Sequence, residues 1–373
     1  MSAPTSVRYR MIDMLRGIAC LAVVWYHALE GGHIGALVAA APSWFHSLLS
    51  HGDAGVSIFF VISGFVIAHS MLRDDIGAGY VGRFMLRRSL RLDPPYWAAI
   101  ALALLGAWVA SRAVPDRAFA LPSAGNLLLH ITYLVDLARQ PLINPVYWTL
   151  CIEIQFYFTF VLLMWAAAGV RRRYGAERGL DVVLWPCAAI AALWLTPWAP
   201  FHVHGLFLER WYLFLAGVLA WRAVHGGAPR QLAAALVYVA LLFGVLGMLA
   251  APVPDLIGLG TVLLILVCGR TGWLARCGGG PAMQWLGLIS YSLYLTHNTV
   301  TGAAFRIGYR LTGRSVATEA LWLALVTVAC CVFAWLFYLV FERAGLRWSK
   351  LVPLHRPAAP AAAAMPLPVR PGA

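Results

Sequence analysis

The sequence predicts an all-α fold, a polytopic membrane bundle of about ten transmembrane helices, and three observations carry that prediction. Of the 373 residues, 61% are hydrophobic and only 12% are charged, too little polar surface to cover a soluble core. The apolar residues gather in runs close to the roughly 20 residues that cross a bilayer. Most of the arginines sit in short connectors between those runs, as in a multi-pass protein. Backbone groups inside a bilayer must be satisfied within their own segment, so the runs predict helices.

The runs cover residues 12–30, 52–72, 94–111, 146–168, 181–198, 206–224, 231–250, 254–270, 283–305 and 318–341. The first contains "MIDMLRGIACLAVVWYHALE", in which Asp13, Arg16, His27 and Glu30 interrupt apolar sequence. "RYR" before it and "VAAAP" after it resemble a cleavable leader, but its length and polar residues predict a permanent helix. The second, "GDAGVSIFFVISGFVIAHS", carries Ser63-Gly64, a small pair that permits close helix approach. The third follows "RFMLRRSLRLDPPYW", whose Arg88 and Arg91 are one helical turn apart. The fourth, within "NPVYWTLCIEIQFYF", holds Glu153, and the ninth, around "ISYSLYLTHN", holds His297. The seventh and eighth must turn within "APVP". Residues 1–345 read as one membrane domain, and residues 346–373 as a cytoplasmic tail rich in Pro and Ala.

The formal net charge of +13 reports topology. No basic stretch is interleaved with aromatics on a polar face, so nucleic acid is not an expected partner; the lipid bilayer is. With the N-terminus in the cytoplasm, Arg8, Arg10, the Arg83/Arg87/Arg88/Arg91 cluster, Arg171–Arg173 and Arg178 fall inside. Arg112, Arg117, Arg139, Arg210, Arg306, Arg310 and Arg314 fall outside, a quarter of the 28 basic residues. Ten spans with both ends cytoplasmic satisfy this bias, although three of those arginines share the last outer loop. The seven cysteines include no CxxC, so buried free thiols are expected, with no disulfide framework and no metal.

An ionisable residue inside a span is costly and marks a functional position. Counted along their helices, His27, Glu153 and His297 lie about 20–22 Å above the inner face, on three different helices. Arg16 lies about three turns below His27 on nearly the same side of its helix. Arg88 and Arg91, at the inner face, suit a phosphate-bearing ligand. Each has a plainer reading. A lone histidine can bond a backbone carbonyl, Arg16 can anchor at the interface, and Arg88 with Arg91 can touch lipid headgroups. A carboxylate in hydrocarbon is harder to explain away, because it must be paired or protonated.

These stretches together resemble the acyltransferase-3 family of bacterial membrane O-acyltransferases, which O-acetylate glycans and some small natural products. "IDMLRGIACLAVVWYH", "GVSIFFVISGFVI", "RRSLRLDPPYW", "YWTLCIEIQFYF" and "ISYSLYLTH" occur in family order over residues 12–297. The family's Arg-x10-His element falls on Arg16 and His27, its Arg-x-x-Arg element on Arg88 and Arg91, and its fourth-helix glutamate on Glu153. Met14 replaces a usual glycine and Ile154 a usual glutamate. The resemblance implies an enzyme of the inner membrane that moves an acyl group, acetyl first among them, from cytoplasmic acyl-CoA. The acceptor it implies is a hydroxyl of a surface carbohydrate or lipid-linked glycan. Arg16, Arg88 and Arg91 would hold the donor's phosphates, and His27 would be the general base. Glu153 would fix the tautomer of His27, with Asp13, Ser63 and His297 supporting the site. A covalent acyl-histidine stays open. The alternative is a transporter or proton-coupled channel using the same His/Glu/Arg cluster, against which stands the lack of an internal repeat. No G-x-S-x-G is present for a serine hydrolase.

Overall fold

Every one of the ten apolar runs folds as a helix in the computed structural model, which describes residues 9–71, 76–113, 118–226 and 228–354. They are α1 (Arg10–Glu30), α2 (Ala54–Met71), α3 (Ala78–Ala113), α4 (Trp148–Tyr174) and α5 (Ala176–Leu193). There follow α6 (Trp211–His225), α7 (Pro229–Met248), α8 (Val253–Arg270), α9 (Pro281–Thr312), α10 (Val316–Phe337) and a short α11 (Arg343–Lys350). No strand occurs among the described residues. Arg8, Arg117 and residues 355–373, which include most of the Pro/Ala-rich tail, lie outside them.

Seven helical segments among the described residues are long and apolar enough to cross a bilayer. α5, α6 and α9 are not among these seven. α6 has 15 residues, short of the usual ~20. α9 has 32 residues but buries Ser290, Ser292, Thr296, His297 and Thr301, as a helix facing a polar interior must. The bundle's outer surface is apolar. Leu321, Leu325, Val328, Val332 and Leu336 of α10 form an exposed stripe at helical spacing, the inverse of a soluble helix and suited to lipid.

Two sequence boundaries shift for identifiable reasons. The connector expected over 73–93 is helical from Ala78, so Arg88 and Arg91 belong to the body of α3. Pro94 and Pro95 lie inside that helix and leave the carbonyls of Leu90 and Arg91 without their usual N–H donors. α11 backs onto those carbonyls through Gly345, where a Cβ would come within 2.7 Å of the Leu90 oxygen. The second shift is at the C-terminal end. α10 passes through a π-helical turn, Tyr338–Glu342, directly into α11.

α1 and α9 run parallel in close contact. A Cβ at Gly287 would clash with the Asp13 carbonyl, the Cys20 thiol donates to the Ser290 carbonyl at 3.3 Å, and the His27 and His297 rings meet. That register sets both histidines at one level, about 25 Å along each helix. α2 packs against α6 at Ser63-Gly64, where a Cβ on Gly64 would overlap the Phe214 backbone, as the small pair predicted.

Candidate active site

Five helices converge on a cavity whose space, its open mouth included, is ≈ 810 Å³. α1 contributes Arg16, α2 Ser63, α3 Arg88 and Arg91, α4 Glu153 and Tyr157, and α9 Tyr291 and Tyr294. The Arg-x-x-Arg spacing turns both α3 guanidiniums the same way. Arg88 lies 4.7 Å over the Tyr157 ring and 5.2 Å over that of Phe84, stacked on aromatic faces as a weakly hydrated guanidinium prefers. Arg16 and Arg91 make no side-chain hydrogen bond or ion pair among the described residues.

Glu153 is the one carboxylate lining this cavity among the described residues. Its Oε1 accepts from the Ser63 hydroxyl at 2.5 Å and from the Tyr157 hydroxyl one turn further along α4. Ser63 therefore meets the cavity's carboxylate directly. The expected pairing of Glu153 with His27 is corrected here: no hydrogen bond joins them among the described residues. The cause is depth. Counting inward from the end of each apolar run assumes that the runs meet the membrane at common planes, whereas Glu153 is matched to Ser63, nine residues into α2. That places the carboxylate with the arginines instead of with the histidines.

His27 and His297 form a separate pair, ring centroids 5.3 Å apart. His297 is fully buried, while His27 is half-buried. The Nδ1 of His297 lies 3.1 and 2.9 Å from the carbonyl oxygens of Leu293 and Tyr294, so the plainer reading of a carbonyl-bonded histidine holds for that nitrogen. Its Nε2 is buried without a partner. Tyr294 connects the two zones. Its ring lines the cavity and stands 5.9 Å from that of His297, and its hydroxyl is 2.8 Å from that of Thr149. Asn298, next to His297, donates to Asn144 at 3.2 Å, which ties α9 to the turn that opens α4.

Asp13 sits in the first turn of α1, where a carboxylate suits the helix's positive end, and does not line the cavity. Sequence reasoning missed Tyr157, Tyr291 and Tyr294, because aromatics within a span look like packing. It also missed Glu342. This buried carboxylate ends the π-helical turn and accepts from the Ser292 backbone N–H at 3.2 Å and hydroxyl at 2.6 Å. A carboxylate directly after the 318–341 run was the available signal. Among the described residues no group of three or more His, Cys, Asp or Glu could hold a metal ion.

A cation-rich cavity set into an apolar bundle, with an imidazole pair beyond it, has the parts of a membrane-embedded group-transfer enzyme. The chain belongs to the acyltransferase-3 family: the family model, described as an acyltransferase domain, matches residues 9–339. It is therefore a membrane acyltransferase, and the transporter alternative falls away. The chain is similar to a Komagataeibacter xylinus protein named "Putative membrane-bound transacylase BcsY", 29% identical over 367 residues, 93% of this chain and 85% of the relative. It is also similar to a Staphylococcus aureus (strain COL) protein named "Putative O-acetyltransferase", 26% identical over 78% of this chain and 50% of the relative. A third, nodulation protein 10 of Rhizobium leguminosarum bv. viciae, is 29% identical over 42% of this chain and 46% of the relative. The chain thus spans about half the length of the latter two. No solved structure matches it.

Proposed function

We propose that this enzyme transfers an acyl group, acetyl first among candidates, from acyl-CoA to a hydroxyl of a surface glycan or lipid-linked sugar. One observation carries the reading: Arg16, Arg88 and Arg91 face a single cavity lined by one carboxylate. Excess positive charge in a low-dielectric enclosure calls for an anionic ligand, and guanidinium groups match phosphate oxygens. CoA supplies such phosphates at one end and a thioester at the other. From Arg16 to His27 is about 16 Å along α1, which an extended pantetheine arm is long enough to cross.

The thioester carbonyl then lies near His27. The acceptor hydroxyl attacks that carbon while neutral His27 takes its proton. The C–S bond breaks, and the proton passes on to the leaving sulfur. The arginine-rich helix ends favour a cytoplasmic donor side, ten spans, and both termini inside a bacterial inner membrane. The glycan acceptor leans on the family resemblance and on the O-acetyltransferase name of the Staphylococcus relative.

Two measurements test this. Purified full-length protein should bind acetyl-CoA, and a strain lacking the gene should lose acetyl groups from its surface glycans by mass spectrometry. No acetyl-CoA binding, together with unchanged glycans, would refute the proposal.

A further inference from the structure

His297 is fully enclosed, yet only one of its two ring nitrogens is satisfied. A carbonyl oxygen only accepts, so the Nδ1 facing Leu293 and Tyr294 carries the proton and donates to them. The Nε2 of the neutral ring is then a lone-pair acceptor, buried without a partner. Native proteins rarely leave such an atom unpaired without a use for it. The ring it stands beside is His27, centroid to centroid 5.3 Å. A hydrogen bond of about 2.9 Å between two imidazole nitrogens, each roughly 1.1 Å from its ring centre, spans nearly that separation. The two rings are tilted by 33° and make no hydrogen bond as they stand, so the contact requires His27, which is half-buried, to turn an N–H toward that nitrogen. The parallel register of α1 and α9, set at Asp13/Gly287 and Cys20/Ser290, holds both rings level.

We propose that His297 is the positioning residue for transfer: its Nε2 accepts the N–H of His27 and so leaves the other His27 nitrogen as the base. The role rests on the acyl-transfer reading above. Backbone carbonyls fix the tautomer of His297, and His297 in turn fixes that of His27. When the acceptor's oxygen bonds to the thioester carbon, its proton goes to the free nitrogen of His27. The C–S bond then breaks, the same proton moves to the sulfur, and CoA leaves as the thiol. His297 gains and loses nothing, but the imidazolium formed in between donates to a neutral acceptor that needs no counter-charge.

The test uses full-length protein in native membranes, with radiolabelled acetyl-CoA as donor and the membrane's own acceptor pool. Transfer of label and acetyl-CoA binding are both measured, on amounts matched for folded protein. His297→Phe removes the acceptor nitrogen and should lower transfer at least about tenfold with acetyl-CoA binding retained. His297→Gln, whose amide oxygen can occupy the Nε2 position, should recover most of that loss. The double variant His27→Gln/His297→Phe should be no slower than His27→Gln alone, because one ring acts through the other. Near-normal transfer by His297→Phe overturns the proposal. So does equal loss in the Phe and Gln variants, or a double variant slower by the full His297→Phe factor. Near-normal transfer by His27→Gln would instead remove the base assignment itself, a distinct result.

Discussion

The arginine cavity and the histidine pair lie in the same bundle, but their polar groups are satisfied in opposite ways. In the cavity, Glu153 already has two hydroxyl donors and Arg88 an aromatic platform before any ligand arrives. Beyond it, His27 makes no side-chain hydrogen bond among the described residues, and the buried Nε2 of His297 has no partner. A pre-satisfied network holds geometry and suits binding. An under-satisfied pair of rings can exchange a proton without first breaking other bonds, which suits chemistry. On the proposed function, the difference would separate substrate holding from proton transfer along one axis of the molecule.

The largest expected effect breaks the chemical half and spares the binding half. His27→Gln should cut transfer by at least ~10²-fold, the range for a lost general base, while acetyl-CoA affinity stays near wild type. Label transfer and equilibrium binding on matched protein decide it. A loss of affinity equal to the loss of turnover would mean that the two regions are one site.

The binding half should respond in the other direction. Arg88→Ala or Arg91→Ala removes a charge-assisted contact worth about 1.5–3 kcal/mol, so acetyl-CoA affinity should fall roughly ten- to a hundredfold. Binding isotherms at two salt concentrations read this. Unchanged affinity in both variants would demote the pair to a lipid-headgroup or structural role.

The fold was largely legible because a bilayer imposes a strict length and composition on whatever crosses it, and all ten runs became helices. The start of α3 was not legible. "RFMLRRSLRLDPP" reads as a polar connector ending in a helix breaker, and the close approach of Gly345 to the Leu90 and Arg91 carbonyls is a tertiary contact that the local sequence does not announce. In the site, Arg16 and His27 stood out because charge and imidazole in an apolar run are costly. The shared level of His27 and His297 followed from their depth, and the phosphate-suited Arg88/Arg91 pair from its one-turn spacing; the contact of the two rings and the cavity that gathers the arginines did not. The partner of Glu153 did not, since depth along one helix says nothing of where another helix begins. Glu342 escaped because it follows the last apolar residue of its run, although the helix itself continues.

Glu153→Gln sharpens the comparison with a smaller effect of definite sign. The glutamine amide oxygen can still accept from Ser63 and Tyr157, so the change removes charge and leaves the geometry. A cavity with three guanidiniums and no carboxylate should bind acetyl-CoA more tightly, because one charge that repels the donor's phosphates is gone, and the ratio of the two binding constants reads the effect. The same ratio should appear in the His27→Gln background, because independent sites add. A fall in turnover with unchanged affinity would restore Glu153 as the carboxylate that supports His27.

The smallest effect separates the two roles of Tyr157, whose hydroxyl donates to Glu153 while its ring lies under Arg88. Tyr157→Phe keeps the ring and deletes the donor. One neutral donor lost from a carboxylate that keeps its Ser63 partner costs about 1 kcal/mol of stability, read as a thermal midpoint lowered by a few degrees. Acetyl-CoA affinity should stay within about threefold of wild type, since the cation–π platform is intact. Tyr157→Leu removes the platform as well and should weaken affinity further, because the Arg88 guanidinium then loses the face that holds it toward the cavity. If the Phe variant loses as much affinity as the Leu variant, the hydroxyl is what organises Arg88, acting through Glu153. The cavity would then be held by its hydrogen-bond network more than by its aromatic floor.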